Sequence, residues 1–132
     1  MKAATLTVAF MFLLCPVAFA QDGQAFARYD DRGHMVGISN LSVRETRERC
    51  ERFVYIGKVV RAEYDNKGQL LEFNIRRKNQ RTETFNLIDA TFDAANVKKL
   101  PTLLKKGARV RVVAYGCGAS AAVLDADSIN LL

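Results

Sequence analysis

The stretch Cys50–Tyr64, CERFVYIGKVVRAEY, is the part of the chain that decides the predicted fold. Every second position from Val54 to Tyr64 is apolar except Lys58, which is typical of a β-strand that buries one face. A glycine within a strand commonly marks a bend or a bulge, so we expect a long strand that bends at Gly57. The side chains predicted to face inward are Val54, Ile56, Val60, Ala62 and Tyr64.

Four shorter strands are predicted after this one, the first of them beyond the turn sequence Asp65–Gly68. The last runs from about Val123 to Leu131, and its parity shifts between Ala126 and Ile129, which predicts a bulge. The inward positions of the three strands between are Leu71, Phe73 and Ile75, then Phe85 and Leu87, then Val110, Val112 and Ala114.

Two segments have a helical pattern. Ser42 and Glu45 have the S-x-x-E spacing of a capping box, which predicts a short charged helix over about Val43–Glu51. Asp93 is a possible cap for a second helix over about Ala94–Leu100. Residues 21–40 are polar and contain several glycines without a sustained period, so we expect a flexible N-terminal arm there.

Three strands, a helix and two more strands is the order of the OB-fold, a five-stranded, partly open Greek-key barrel. We therefore predict a mainly β domain over residues 41–132: a five-stranded OB-fold-like barrel with a short N-terminal helix and a helix between strands 3 and 4. In this order the first strand pairs antiparallel with the fourth. That pairing brings Cys50, before the first strand, close to Cys117, after the fourth, as a disulfide requires.

The stretches Ser42–Glu45 and Phe53–Val60 resemble small periplasmic bacterial OB-fold proteins, in which a short helix leads into a strand of pattern V-x-L-x-G-x-I-V. Gly107–Val112 and Asp127–Ile129 look like the last two strands of that family. The resemblance covers about residues 42–132, and the chain departs from the family in having no Trp and in its cysteine pair. It implies a ligand-binding or stress-related exported module rather than an enzyme.

Residues 1–20 have the composition of a signal peptide: Lys2, then the apolar run Val8–Leu14, then small residues up to Ala20. We expect cleavage after Ala20, a periplasmic or secreted location, and no transmembrane segment in the mature protein. The alternative is an uncleaved anchor helix. It is less favoured because a membrane span needs about 20 consecutive apolar residues, and Pro16 interrupts this run.

Removal of Cys15 with the signal peptide leaves Cys50 and Cys117, and in an oxidising compartment such a pair tends to be joined. A redox-active pair and a metal site are the alternatives. The chain has no C-x-x-C spacing, and His34 is its only histidine, so both are less favoured. We expect no metal and no cofactor.

Catalytic motifs are absent from the sequence: it contains no P-loop and no G-x-G-x-x-G. His34 lies in the predicted arm, where an exposed loop histidine is the simpler interpretation. The aspartates Asp30, Asp31, Asp125 and Asp127 lack the full spacing of a calcium loop. We therefore do not expect an enzyme.

The remaining candidate for function is the basic surface, since the chain carries 20 Lys and Arg against 14 Asp and Glu, a net charge of +6. Such an excess favours acidic partners. We predict a non-catalytic exported module that binds an anionic ligand, or an acidic protein of the cell envelope, through a basic barrel face. The predicted ligand-binding residues are Arg76, Arg77, Lys78 and Arg81, with Lys58 and Arg111 behind them.

Three alternatives stay open. The basic run at residues 76–81 is also what a solvated turn looks like. The chain is alternatively a protein-interaction or inhibitor module of the envelope, acting through the arm or through the loop at 116–122. Nucleic acid is possible but less favoured, because binding of single strands normally adds outward aromatic rings, and only Tyr55 and Tyr115 are predicted to point outward. The sequence does not indicate an oligomeric state.

Overall fold

The computed structural model describes residues 24–87, 90–118 and 124–132. The predicted signal peptide, residues 1–20, lies outside these residues. In chain order the strands are β1 (Phe26–Tyr29), β2 (Met35–Ser39), β3 (Glu51–Tyr64), β4 (Leu70–Arg77), β5 (Thr82–Asn86), β6 (Arg109–Gly116) and β7 (Leu124–Leu131). The helices are α1 (Arg44–Arg49), α2 (Ala94–Val97) and α3 (Leu100–Leu103).

All the strands belong to one sheet. β1 pairs with β2, and β2 pairs with β7. Following the pairings from β3 through β4, β5, β7 and β6 leads back to β3. Each of these pairs is antiparallel except β5 with β7, which is parallel. The protein is therefore mainly β, as predicted, but its described residues contain seven strands and not five.

The two additional strands form a hairpin in the segment predicted to be a flexible arm, so that prediction was wrong for residues 26–39. Met35 and Ile38 of this hairpin are fully buried in the core. The turn between its strands is fixed by Asp30, whose carboxylate accepts hydrogen bonds from the backbone N–H groups of Arg32 and His34. Gly33, with a φ of 81°, allows the left-handed backbone of this turn.

The helices differ from the prediction in place and extent. Because of the additional hairpin, α1 follows two strands, and α2 and α3 lie between the fifth and sixth strands. The predicted capping box at α1 does not form: Val43 is the N-cap, and the Ser42 hydroxyl donates instead to Asp127 at 2.6 Å. Asp93 does cap α2, since its carboxylate accepts a hydrogen bond from the backbone N–H of Asn96 at 2.8 Å.

The core is built from the inward faces of the sheet and is closed by α3 and its flanks. Phe73 and Phe85 are its largest side chains and stack on neighbouring strands, with ring centroids 5.0 Å apart. The other fully buried large side chains are Met35, Ile38, Leu41, Leu70, Ile75, Leu100, Leu103, Ile129, Val110 and Val112. In the described residues no helix is both long and apolar enough to cross a membrane.

The first half of β3 has the opposite orientation to the predicted one. Phe53 and Tyr55 pack against the core, whereas Val54 and Ile56 are exposed. Between Val59 and Arg61 the pairing with β4 shifts by one residue. Such a bulge changes which parity faces inward, so the prediction holds only beyond it, for Ala62 and Tyr64.

The predicted contact between Cys50 and Cys117 is confirmed. Glu51 at the start of β3 pairs with Gly116 at the end of β6, so the two cysteines are the next residues outward on each side. Their Cα atoms are 4.6 Å apart, and their sulfur atoms lie at bonding distance.

Candidate functional site

An open groove of about 690 Å³ lies on the outer surface where β3 bends away from β6 towards β4. Its floor is formed by Ile56, Gly57, Val59 and Val60 of β3. The positively charged residues around it come from three strands and two loops. They are Lys58, Arg76, Arg77, Lys78, Lys106 and Arg109.

Three of these cations form a row across the sheet. Lys58 on β3 pairs directly with Arg76 on β4 and, on its other side, with Arg109 on β6. Directly opposite side chains in a sheet are about 5 Å apart. All three side chains are exposed, and we call this set the cation row. Like charges at opposite positions destabilise a sheet, so the row has an unfavourable electrostatic energy when nothing is bound to it.

No carboxylate within the described residues neutralises the cation row. Other basic side chains form ion pairs with carboxylates. The distances from guanidinium nitrogen to carboxylate oxygen are 3.2 Å for Arg77 and Glu83, 3.1 Å for Arg49 and Glu45, and 3.6 Å for Arg47 and Asp127. In the described part of the chain, neither the row nor Lys78 or Lys106 takes part in such an ion pair. The groove therefore carries positive charge that faces solvent.

Gly57 determines how closely β3 and β4 approach each other beneath the cation row. It is buried, and a Cβ at this position would lie only 2.5 Å from the carbonyl oxygen of Arg76. Real Cβ atoms essentially never come this close to backbone. Glycine therefore allows β3 and β4 to approach each other at the point where Lys58 and Arg76 are paired.

The loop before β6 holds the other side of the groove. The backbone N–H of Gly107 donates to the carbonyl of Val59 at 2.8 Å, and the N–H of Val59 donates to the carbonyl of Ala108 at 2.9 Å. Gly107 has a φ of 89°, which favours glycine. These two bonds attach the loop to β3 and so position Lys106 beside the groove.

Arg77 differs from the other cations because it is held by neighbouring side chains. Its guanidinium is bonded to Glu83 and lies 4.9 Å from the ring centre of Tyr55, a cation–π contact. Burial raises the pKa of the Tyr55 hydroxyl, and the negative charge of Glu83 raises that pKa further. The guanidinium of Arg77 is only partly available to a ligand, because one of its N–H groups donates a hydrogen bond to Glu83.

The structure brings together four of the six predicted binding residues, namely Lys58, Arg76, Arg77 and Lys78. Arg81 and Arg111 are exposed but are not among the lining residues of the groove. Tyr55, predicted to point outward, packs against the core.

Sequence reasoning missed Lys106 and Arg109 as groove residues. The alternation in β6 indicates that Arg109 points outward, but its position opposite Lys58 depends on the strand register. Lys106 is placed by the backbone bonds of the loop, and the local signal for that loop is only the glycine that follows Lys106.

Other polar groups of the described chain form no comparable site. In the exposed turn between β1 and β2, Nδ1 of His34 lies 3.5 Å from Oδ2 of Asp30. The backbone N–H of His34 lowers the pKa of the Asp30 carboxyl by donating a hydrogen bond to it. Within the described residues no three His, Cys, Asp or Glu side chains are grouped so that they could hold a metal ion.

No family model matches the chain, and neither a curated protein nor a solved structure shows significant similarity to it.

Proposed function

We propose that this protein is a non-catalytic exported module that binds an anionic ligand in the groove beside β3. The observation that carries the proposal is the cation row: Lys58, Arg76 and Arg109 are direct neighbours on three paired strands, and no described carboxylate offsets their charge. A bound anion would remove their mutual repulsion and form charge-assisted hydrogen bonds with them.

The size of the groove supports a ligand of limited extent. Sites for small ligands commonly have volumes of about 300–1,000 Å³ and combine an apolar floor with a few polar groups. The groove has this composition, with Ile56 and Val60 in its floor and the cations at its margin. Phosphate and carboxylate groups are the anions for which arginine is best suited, because its planar guanidinium can bind them through two bonds.

The strand topology of this module, an OB-fold-like barrel, is also part of the proposal. The ring of pairings through β3, β4, β5, β7 and β6, with its single parallel pair, supports a five-stranded OB-fold-like barrel to which β1 and β2 are added. OB-folds commonly bind oligonucleotides or oligosaccharides across their second and third strands and adjoining loops. The groove lies instead between the first, second and fourth strands of that order, here β3, β4 and β6.

A periplasmic or secreted location is likewise part of the proposal. It is supported by the signal-like sequence of residues 1–20 and by two cysteines at disulfide distance, an arrangement that persists in oxidising compartments.

The proposal predicts a loss of anion binding when the row is neutralised. The test variant carries Lys58→Gln, Arg76→Gln and Arg109→Gln, and the measurement is the salt concentration that elutes the protein from a heparin column. A matched control, Arg32→Gln, Lys67→Gln and Lys98→Gln, removes the same charge from exposed positions elsewhere. We expect the test variant to elute at clearly lower salt than the control, because three adjacent cations bind a polyanion together.

The thermal unfolding transition of the test variant should stay at or above that of the wild type, since like-charge repulsion is removed. Equal elution of the test variant and the control would contradict the proposal and would indicate that heparin senses only the overall charge.

A further inference from the structure

Two large apolar side chains lie on the outer face of β3 directly beside the cation row. The outward positions of this half of the strand are, in order, Arg52, Val54, Ile56 and Lys58. Val54 is 39% exposed and Ile56 is 43% exposed. Since Phe53 and Tyr55 occupy the inward positions, the core does not account for the apolar character of Val54 and Ile56. We call these two residues the apolar strip.

A second, smaller hollow of about 290 Å³ lies over the apolar strip. Val54, Tyr55 and Ile56 line one side of it, and Arg77 at the end of β4 with Lys78 and Asn79 of the following turn line the other. Ile56, Arg77 and Lys78 line both this hollow and the larger groove. The two hollows therefore adjoin, and together they extend from the cation row to Val54.

The dimensions of this surface fit an elongated ligand with two different ends. A strand rises about 3.3 Å per residue, so Val54 lies about 13 Å from Lys58 along β3. At one end the surface offers the three cations of the row. Towards Val54 it offers two exposed aliphatic side chains, whose burial is favourable, with Arg111 opposite Ile56 and Lys78 at the margin of the hollow.

We infer that the two hollows bind a single-chain anionic amphiphile as a monomer, with a phosphate headgroup at the cation row and its alkyl chain on Ile56 and Val54. This inference rests on the proposed function and adds the ligand class to it. A polyanion would leave Val54 and Ile56 exposed to water. The alkyl chain of an amphiphile would cover these two side chains while its headgroup meets the cation row.

The test measures binding of dodecyl phosphate and butyl phosphate by calorimetry, both at concentrations below micelle formation and at low salt. The two ligands share a headgroup and differ only in chain length. We expect dodecyl phosphate to bind at least about tenfold more tightly, because only its chain reaches the apolar strip.

Two variants separate the parts of the site. Val54→Thr with Ile56→Thr keeps β-branched side chains in the strand but removes aliphatic surface, and it should abolish the preference for the longer chain. Val54→Thr alone, at a position outside the larger groove, should elute from heparin like the wild type, because the cation row and the floor of that groove are unchanged. Leu71→Thr, at an exposed apolar position elsewhere on β4, is the matched control and should leave the preference intact.

The outcomes distinguish the inference from the proposed function. If wild-type protein is retained on heparin but binds both phosphates equally, the amphiphile is excluded while anion binding stands. If it binds neither phosphate and is not retained on heparin, both proposals fail. Binding to anionic phospholipid vesicles without binding of monomeric dodecyl phosphate would overturn the assignment to a monomeric ligand. The comparison of chain lengths needs no variant, so it is decisive even if the double substitution does not fold.

Discussion

At the scale of the residue, Gly57 connects the fold to the candidate site. Sequence reasoning identified it as the point where the long strand bends, because glycine is unusual within a strand. The sequence could not show which backbone it approaches. In the structure that neighbour is Arg76, a member of the cation row, so the close contact that fixes the bend also fixes the spacing of two cations.

Substitution of Gly57 by alanine is therefore expected to destabilise the protein. The new Cβ would contact the carbonyl of Arg76, and relief of that contact requires the two strands to separate. We expect a loss of about 1–3 kcal/mol in the free energy of unfolding, measured with urea. Thr82→Ala, at an exposed strand position opposite Arg76, serves as control and should change stability by less than about 1 kcal/mol. Similar stability of the two variants would show that β3 and β4 have room to move.

Tyr64 should make stability depend on alkaline pH. Burial raises the pKa of its hydroxyl above the ordinary value of 10.0, so the folded state favours the protonated form. This contribution is fully present below pH 10 and is lost as the pH rises through the higher pKa of the folded state. Wild-type protein should therefore lose more stability than Tyr64→Phe between pH 9 and 11, a range set about the reference tyrosine pKa. Parallel curves of unfolding free energy against pH for the two proteins would contradict this assignment.

At the scale of the element, strand alternation predicted most inward faces but failed where the register shifts. The strands β4 and β5 follow their predicted parity over most of their length. Phe73, Ile75, Phe85 and Leu87 are buried as predicted, whereas Leu71, also predicted to face inward, is exposed. In β3 the pattern was assigned to a single parity, although the bulge between Val59 and Arg61 reverses it. Both parities of that strand are apolar, so the sequence alone does not determine which one faces the core.

The bulge predicted in β7 is confirmed, and it has a structural role. The pairing with β6 shifts at Asp127, between Ala126 and Ser128. The extra residue directs its carboxylate to the Ser42 hydroxyl, with Arg47 3.6 Å away. Asp127 thereby holds α1 against the sheet. Since this contact joins residues far apart in the chain, local sequence favoured the capping box that does not form.

The contact of Cys50 with Cys117 follows from element order alone, because it depends only on β3 pairing antiparallel with β6. The two residues are 67 positions apart. A bridge that closes a loop of this length is expected to stabilise the protein by about 4 kcal/mol through the entropy of the unfolded chain.

Replacement of both cysteines by serine should lower the free energy of unfolding by up to this amount. Wild-type protein unfolded in the presence of a reductant should behave like the double variant. Mass spectrometry of unreduced protein checks the premise, since two free thiols in material recovered from an oxidising compartment would contradict the bridge.

At the scale of the whole molecule, composition indicated a basic, mainly β domain but did not indicate the first hairpin. The apolar residues of the segment 26–39 are divided by the polar run at residues 30–34, and Gly37 interrupts their alternation. Met35 and Ile38 are buried only because β2 pairs with β7, a strand from the other end of the sequence. A pairing of this kind leaves no local signal, which is why the segment was predicted to be flexible.

The candidate site shows the same limit. The sequence indicated the basic run at residues 76–81 from its composition and the outward Lys58 from strand parity. Lys106 and Arg109 line the groove, whereas Arg81 and Arg111 do not. Which residues line it depends on which strands are adjacent and on the bonds between Val59 and the loop at Gly107. A surface formed by three strands is determined by register, and register is a property of the assembled sheet.

The position of β7 has a consequence for the order of folding. This strand pairs with β2, β5 and β6, all of which precede it in the chain. Until it has docked, these three partners each have an edge with unsatisfied backbone groups, which is the situation that favours aggregation. A chain in which residues 124–131 have not yet paired therefore exposes three strand edges at once, and the docking of one strand covers all three.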